Sequence, residues 1–199
     1  IYHGDCREVL PTLEPVETII VDPVWPNVHP DLAGADDPWG LWESTIPLLR
    51  ADRLIVWLGC QSDPRFVRSV EDRWTFLRVQ YMRRAVPSYN GRCLVTGDVV
   101  YSFGEWPRSS DGRHVIPGEC SVRSIPSRKQ PHPAARNEDH AKWLVKWWTY
   151  EGETILDPFM GSGTTLVAAQ NLGRKAIGIE LEERWCEVAA KRLAQGVLL

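Results

Sequence analysis

A glycine-rich segment near the carboxyl end of the chain constrains the fold more than any other feature. It reads Asp157-Pro158-Phe159-Met160-Gly161-Ser162-Gly163-Thr164-Thr165 and follows the short apolar run Thr154–Leu156. A helical pattern begins directly after it, so the glycines lie in the turn between a strand and a helix, where they let the backbone turn tightly and approach a ligand closely. The free N–H groups and the partial positive charge at the start of that helix suit an anionic group. The segment therefore predicts a strand–turn–helix unit that binds a ligand.

Two nucleotide-binding motifs with similar glycine spacing do not fit this segment. A phosphate-binding P-loop needs Lys before the Thr pair, but Thr164 follows Gly163 directly. A dinucleotide fingerprint needs a third glycine, where this chain has Leu166. The next strand ends in Glu180, and an acid at such a position can accept hydrogen bonds from both hydroxyls of a ribose. A ribose-bearing ligand with an anionic end is therefore favoured over a turn that only connects strand and helix.

Strand and helix patterns alternate along the chain, and 199 residues suit a single α/β domain. Strands are predicted at Thr18–Val21, Arg53–Leu58, Trp74–Met82, Cys93–Phe103, Thr154–Leu156 and Lys175–Ile179. Helices are predicted at Pro38–Arg50, Asp63–Glu71, Asp139–Trp148, Thr164–Leu172 and Glu183–Leu193. Pro47 lies inside the first helical pattern, so that helix should kink or end early. The alternation predicts a mainly parallel sheet with helices on both faces. Residues 104–133 have no clear period and are predicted to form a loop-rich insertion in the domain.

A second tetrapeptide carries chemistry at the end of a predicted strand. Asp22-Pro23-Val24-Trp25 offers a carboxylate, a backbone carbonyl and a large aromatic face. This set suits a flat base with an amino group, because the two acceptors take hydrogen bonds from the amine while the ring stacks on the base. The same four residues are also common in ordinary turns.

Charge is distributed unevenly along the chain. The net charge is −3, yet residues 78–136 hold ten basic side chains against four acidic ones. Nine of the ten are arginine, which suits bidentate contacts to phosphates and bases. The predicted nucleic-acid contacts are Arg83, Arg84, Arg92, Arg128 and Lys129. A solvated basic loop fits this composition equally well.

The five cysteines are widely spaced and include no CxxC pair. Neither a disulfide framework nor a zinc site is predicted, and a cytoplasmic, reducing environment is the simple expectation. No segment approaches the ~18 consecutive apolar residues of a membrane span, so no membrane association is predicted.

Taken together, these motifs resemble the DNA amino-methyltransferases of the permuted β class. The family's FxGxG motif is matched by Phe159 to Gly163, and its (D/N/S)PP(Y/F/W) motif by Asp22 to Trp25. The opening segment Ile1 to Cys6 is similar to the family's first strand, and His132 to Asn137 to its HPTQKP segment. The resemblance implies a circularly permuted Rossmann-like fold with a mostly parallel seven-stranded sheet. Val24 replaces the second proline of the catalytic motif, and Ala134 and Asn137 also depart from the family pattern.

The resemblance also implies the cofactor S-adenosylmethionine, no metal ion, and a role for each motif residue. The implied cofactor-binding residues are Asp5, Cys6, Asp157, Phe159, Gly161, Gly163, Thr164 and Glu180. The implied catalytic residues are Asp22, Pro23 and Trp25, which would act on the exocyclic amine of a base flipped out of DNA. Asp rather than Ser at the first catalytic position favours adenine N6.

Four other functions stay open at this point. The target could be cytosine N4, or adenine in RNA rather than DNA. The chain could be a non-catalytic, cofactor-binding subunit of a heterodimer, although intact Asp22 and Glu180 argue against this. A nucleotide-dependent dehydrogenase is disfavoured by the motif order and the missing third glycine. A homodimer and an accompanying restriction enzyme are both compatible with the sequence.

Overall fold

Strands and helices alternate in the computed structural model, which describes residues 1–26, 30–108, 115–122 and 132–196. The strands are β1 (Tyr2–His3), β2 (Val16–Val21), β3 (Ala51–Gly59), β4 (Phe76–Asn90), β5 (Cys93–Gly104), β6 (Glu119–Ser121), β7 (Thr154–Asp157) and β8 (Lys175–Glu180). The helices are α1 (Cys6–Val9), α2 (Pro38–Thr45), α3 (Glu138–Trp148), α4 (Thr164–Asn171) and α5 (Glu183–Gly196). Short 3₁₀ segments cover Leu10–Thr12, Ile46–Leu48 and Pro64–Val70.

The strands form one sheet in the order β1-β8-β7-β2-β3-β5-β4-β6. Strand β5 runs antiparallel to its neighbours β3 and β4, and the other pairs are parallel. The predicted α/β class and mostly parallel sheet are confirmed. Eight strands are described rather than seven, because Glu119–Ser121, inside the predicted loop-rich segment, pairs with Tyr81–Arg83 at the sheet edge. Three residues are too few to give a strand pattern in the sequence.

Side chains alternate between the two faces of the central strands. On β3, Leu54, Val56 and Leu58 pack towards α1, α2 and the 3₁₀ segments, whereas Ile55 and Trp57 pack towards α3 and α4. This alternation follows from the two-residue period of a strand. Helices therefore cover both faces, as the alternation of strands and helices predicted, and the central strands are buried on both sides, which explains their continuous apolar sequences.

Local sequence signals set the helix boundaries. The side chain of Asn137 accepts a hydrogen bond from the Asp139 backbone N–H (2.8 Å) and begins α3, as capping residues do. Helix α2 ends at Thr45, just before Pro47, because proline lacks the N–H that a continuing helix needs. The predicted early end of this helix is confirmed.

Strand β4 is longer than the sequence predicted, because it extends eight residues past Met82 to Asn90. Its pairing with β5 shifts register between Arg83 and Ser88, where β4 contains three extra residues. Beyond this bulge, Ser88–Val95 forms a two-stranded arm with Gly91 and Arg92 at its turn. We call these residues the hairpin arm.

Candidate active site

A cavity of about 950 Å³ lies along the carboxyl edge of the sheet. In open α/β sheets, ligands bind at this edge, where the strand order reverses. The cavity is lined by ten of the eleven predicted catalytic and cofactor-binding residues: Asp5, Cys6, Asp22, Pro23, Trp25, Asp157, Phe159, Gly161, Thr164 and Glu180. Gly163 does not line it. These residues meet because each lies at, or just after, the carboxyl end of a parallel strand.

Two glycines of the loop between β7 and α4 have left-handed backbones. Gly161 has φ +50° and Gly163 has φ +78°, a region that residues with a Cβ rarely adopt. A Cβ on Gly163 would lie 2.8 Å from the Cβ of Ala189 on α5, and one on Gly161 would lie 3.1 Å from Nε2 of His132. Gly163 therefore allows close packing of α5, whereas Gly161 lies on the cavity wall.

Glu180 is the last residue of β8, and its carboxylate faces the glycine loop between β7 and α4. Its Oε2 accepts a hydrogen bond from the Gly161 N–H (3.0 Å) and its Oε1 accepts one from the Glu182 N–H (2.8 Å). Burial raises the pKa of this carboxyl, while these hydrogen bonds oppose the shift. Each oxygen keeps a lone pair for a further donor, so two hydroxyls of a ligand could bind here.

Asp157 is the most perturbed acid of the cavity. Its side chain is buried, and it accepts hydrogen bonds from the Phe159 N–H (3.1 Å) and from Thr165. Burial, with a smaller contribution from the nearby charges of Asp22 and Glu180, raises the pKa of this carboxyl to about 7, although the two hydrogen bonds oppose the shift. A cationic ligand would relieve this unfavourable burial, because an opposite charge favours the ionised form.

Asp5 and Cys6 lie where β1 leads into α1. The Asp5 carboxylate caps this helix by accepting a hydrogen bond from the Arg7 N–H (2.8 Å), and it pairs with the Arg7 guanidinium at 2.6 Å. Hydrogen bonding to Arg7 lowers the pKa of Asp5. Burial raises the pKa of the Cys6 thiol, whose Sγ lies 3.7 Å from Oγ1 of Thr45. Cys6 is thus a buried core residue that also lines the cavity.

Arg192 joins α5 to the glycine loop. Its Nη1 donates hydrogen bonds to the Ser162 carbonyl (2.6 Å) and to Oγ1 of Thr164 (3.2 Å). Sequence reasoning missed this residue, because nothing in the local pattern of α5 distinguishes it from a surface arginine. The contact means that the Thr164 hydroxyl, a predicted cofactor contact, already has a partner within the protein.

His132 packs beside the same loop. Its ring lies 4.5 Å from the Trp185 ring in an edge-on arrangement, and its Nδ1 accepts a hydrogen bond from the Ala134 N–H (3.2 Å). Burial lowers the pKa of His132. A neutral imidazole therefore closes one side of the cavity next to Gly161.

The catalytic motif follows β2 on the other side of the cavity. The ring of Trp25 lies against the end of β3, where a Cβ on Gly59 would approach it to 2.7 Å. Asp22 is partly buried and forms a two-point ion pair with Arg136, from Nε to Oδ2 (2.8 Å) and from Nη2 to Oδ1 (2.6 Å). Arg136 lies in the His132 to Asn137 segment, at the position of the lysine in HPTQKP, but neither motif predicts its pairing with Asp22.

Arg136 is held on several sides. Its Nη1 pairs with Oδ2 of Asp98 (3.0 Å), and its guanidinium carbon lies 5.3 Å from the Trp57 ring centre and 6.0 Å from that of Trp25. Burial alone would lower the pKa of Arg136, but Asp22 and Asp98 raise it above its ordinary value. The guanidinium is therefore a permanent charge beside the catalytic motif.

Three of the five predicted nucleic-acid contacts lie among the described residues. Arg84 lines the cavity and pairs with Asp98 at 3.0 Å. Arg83 is exposed and lies 3.8 Å from Glu119, and Arg92 is exposed at the turn of the hairpin arm. Arg128 and Lys129 lie outside the described residues.

Two aromatic side chains of the basic segment, Trp106 and Tyr89, differ in how they pack. Trp106 stacks on Trp148 at 5.9 Å between ring centres, so packing explains its position. Tyr89 is 82% exposed on the hairpin arm, so packing does not explain its position.

In the described part of the chain, no cluster of His, Cys, Asp and Glu has the arrangement of a metal site. The same residues include no helix with the length and hydropathy of a membrane span. All five cysteines are free.

The known proteins that this chain resembles are methylases and methyltransferases. A family model described as DNA methylase, covering N6 and N4 enzymes, matches residues 52–191. The methylase YubD of Escherichia coli (strain K12) is 40% identical over 96% of this chain and 88% of its own length. The type II methyltransferase M2.LlaDCHI of Lactococcus lactis subsp. cremoris is 46% identical over 33% of this chain, but the match spans only 24% of that protein.

Solved structures share the fold. The M1.HpyAVI–SAM complex has a TM-score of 0.74, with 21% identity, covering 96% of this chain and 97% of that one. PvuII DNA methyltransferase, described as cytosine-N4-specific, has a TM-score of 0.73, with 18% identity, covering 96% of this chain and 84% of that one. At these identities the likeness concerns the fold alone.

Proposed function

This chain belongs to the N6/N4 DNA methylase family, and we propose that it is an S-adenosylmethionine-dependent methyltransferase acting on the exocyclic amine of a base in DNA. One observation carries the proposal. The glycine loop after β7 and the Asp22 motif after β2 line the same cavity, although Asp22 and Asp157 are 135 positions apart in the chain. A cofactor site and an amine-binding site that share one cavity are what a direct group transfer requires.

The residues that line the cavity suit S-adenosylmethionine in charge and in hydrogen-bonding capacity. Glu180 keeps acceptor capacity for ribose hydroxyls, and buried Asp157 favours a positively charged ligand. Gly161 provides close backbone approach, and Asp5 and Cys6 line the end of the cavity proposed for the adenine. The cofactor would supply a methyl group made electrophilic by the sulfonium sulfur to which it is bound.

Asp22 and Pro23 would act on the target amine. The lone pair of an exocyclic amine is delocalised into the base ring, so the amine is a poor nucleophile. Hydrogen bonds donated by the amine to the Asp22 carboxylate and the Pro23 carbonyl would localise that pair and orient it. The base must leave the duplex to reach this site, at a cost of a few kcal/mol, and stacking on Trp25 would offset part of that cost.

Adenine N6 is the proposed target, supported by Asp at position 22. Cytosine N4 is the second candidate, because PvuII DNA methyltransferase, a similar fold, is described as cytosine-N4-specific. A non-catalytic subunit is less favoured, because Asp22 and Glu180 both line the one cavity. RNA stays less favoured than DNA, since the matched family model is described as DNA methylase and a protein of similar fold as a DNA methyltransferase.

We further propose that the hairpin arm contacts the DNA. Between Arg83 and Gly97 the chain carries three arginines and no acid. A two-stranded ribbon is narrow enough to enter the major groove, and Arg92 and Tyr89 are exposed near its turn. Arg84, at the base of the arm, also lines the cavity, so the arm would bring the duplex to the cavity mouth. Arg128 and Lys129 stay predicted contacts.

The wider setting is also proposed. Five free cysteines support a reducing, cytoplasmic environment. A homodimer and an accompanying restriction enzyme are compatible with this function and not required by it.

The substrate class can be tested by methyl transfer from tritiated S-adenosylmethionine. Unmethylated plasmid DNA, its heat-denatured form and an RNA transcript of the same plasmid should be compared, with Asp22→Ala as the inactive control. We expect label in DNA that depends on Asp22. Label in RNA alone would replace the proposed substrate, and equal labelling by the Asp22→Ala protein would remove the proposed mechanism.

A further inference from the structure

We propose that Arg136 is a positioning residue for the transfer, which holds the Asp22 carboxylate and the Trp25 ring in place before a base enters. The inference rests on the proposed function, since it concerns the same catalytic motif. Neither the motif spacing nor the family match assigns a role to this arginine.

The two hydrogen bonds from Arg136 to Asp22 fix both the position and the orientation of the carboxylate. Because Nε and Nη2 of Arg136 bind different carboxylate oxygens, at 2.8 and 2.6 Å, the planar guanidinium also fixes the plane of the carboxylate. Each oxygen keeps a lone pair for another donor. Arg136 therefore orients Asp22 without blocking its acceptance of a hydrogen bond from an amine.

Arg136 is itself fixed from the opposite side. Its remaining terminal nitrogen, Nη1, pairs with Asp98 at 3.0 Å, and the other oxygen of Asp98 accepts a hydrogen bond from Arg84 at 3.0 Å. The side chains of Arg136 and Asp98 are 12% and 5% exposed. Because three nitrogens are used in a fixed fork, lysine cannot reproduce the arrangement with its single ammonium group.

The same guanidinium also reaches the aromatic residue of the motif. Its central carbon lies 6.0 Å from the Trp25 ring centre and 5.3 Å from that of Trp57, within the range of a cation–π contact. Val24, between the two catalytic side chains, does not fix its own φ as proline would. The order of this loop therefore depends on side-chain contacts, and Arg136 makes one with each of the two catalytic side chains.

A second buried arginine offers a matched control. Arg53 on β3 donates hydrogen bonds to Thr18 (2.9 Å) and Glu153 (2.9 Å), and its side chain is 7% exposed. It does not line the cavity. A purely structural role for Arg136 would make Arg136→Lys and Arg53→Lys behave alike.

The test compares these two variants in steady-state methylation of unmethylated plasmid DNA. Arg136→Lys should lower kcat about 100-fold, as small misplacements in active sites do. Its KM for S-adenosylmethionine and its calorimetric affinity for that cofactor should change less than about threefold, because Arg136 binds none of the residues proposed to hold the cofactor. Arg53→Lys should lower the unfolding midpoint but leave kcat within about twofold. Asp98→Asn, which removes one support of Arg136 and leaves Asp22 intact, should lower kcat by a smaller factor.

A kcat of Arg136→Lys within twofold of wild type would overturn the proposal. A parallel loss of cofactor affinity would do so too, since it would make Arg136 part of the cofactor site. A second measurement needs no activity: the indole N–H resonance of Trp25, assigned with Trp25→Phe, should shift in Arg136→Lys and not in Arg53→Lys. If wild type transfers no methyl group, the proposed function fails, whereas an unmoved Trp25 resonance would refute the positioning role by itself.

Discussion

Replacing Asp157 by Asn should stabilise the free protein at neutral and alkaline pH and weaken its cofactor site. Asp157 is buried, and the hydrogen bonds described for it come from the Phe159 N–H and from Thr165 rather than from a cation. Asn has nearly the same shape and can keep both contacts, because its oxygen accepts and its amide donates. The substitution therefore removes a buried charge while leaving the packing almost unchanged.

The magnitude follows from the pKa, which rises from 3.8 to about 7 on folding. A raised carboxyl pKa means that the contribution to stability is complete below pH 3.8 and is lost as the pH rises through about 7. At about 1.4 kcal/mol per pH unit, the wild type loses about 4 kcal/mol over this window. Asn does not titrate, so the difference in unfolding free energy between the two proteins should grow with pH and level off above pH 7.

Urea unfolding of both proteins at pH 5, 6, 7 and 8 gives this difference directly. Asp157→Asn should become more stable than wild type by about 1.4 kcal/mol for each pH unit between 5 and 7. A difference that does not change with pH, or a variant less stable than wild type at pH 8, would refute the reasoning.

The same carboxyl should report cofactor binding. A positive charge near Asp157 lowers its pKa, so S-adenosylmethionine should release a proton when it binds at pH 6. Calorimetry in two buffers of different ionisation enthalpy measures this proton. S-adenosylhomocysteine, whose sulfur is uncharged, should release less, and Asp157→Asn should release none from this site.

Four further outcomes are expected. Asp22→Ala should abolish methyl transfer while leaving calorimetric cofactor affinity within about threefold, since the Asp22 carboxylate acts on the amine and alanine offers no acceptor; near-wild-type turnover would remove Asp22 from the mechanism. Glu180→Gln should weaken cofactor binding by about 1.5–3 kcal/mol, and an unchanged affinity would mean that the ribose binds elsewhere. Gly163→Ala should lower the unfolding free energy by about 2–4 kcal/mol, from its left-handed backbone and the 2.8 Å approach to Ala189. Gly91 also has a left-handed backbone but open space around it, so Gly91→Ala should lose only the unfolding free energy that comes from backbone strain. Equal losses of unfolding free energy in the two variants would rule out the packing effect at Gly163. Arg92→Ala should reduce the slope of log DNA affinity against log salt by about one, whereas Arg65→Ala, at an arginine that pairs with Asp63 and does not line the cavity, should leave it unchanged; equal slopes would mean that Arg92 touches no phosphate.

The convergence of the two motifs could be predicted from the sequence, because parallel strands bring their carboxyl ends to one edge of a sheet. Asp22, Asp157 and Glu180 each end or follow a strand with a clear apolar pattern. The roles proposed for these three residues could therefore be predicted from residue type and position. The prediction required no knowledge of side-chain geometry.

Arg136 and Arg192 could not be predicted in this way. Arg136 is 114 positions from Asp22, and the contact between them depends on how two loops pack at the cavity edge. Arg192 lies on a helix whose pattern shows only which face is buried. Contacts of this kind depend on tertiary packing, which local periodicity does not encode.

The hairpin arm was also missed, for a different reason. The prediction ended β4 at Met82, which is fully buried. Beyond it the strand leaves the core, so its side chains no longer alternate between apolar and polar. Pro87 and the bulge after Arg83 further obscure the strand signal, because proline cannot donate to a strand ladder.

Mass spectrometry of the methylated nucleoside tests the central claim most directly. Unmethylated DNA would be incubated with S-adenosylmethionine carrying a trideuterated methyl group, then digested to nucleosides. We expect deuteriomethyl-labelled N6-methyldeoxyadenosine that is absent when Asp22→Ala is used. Labelled N4-methyldeoxycytidine would keep the chemistry and correct the base. Cofactor binding without any labelled deoxynucleoside would contradict the proposed function.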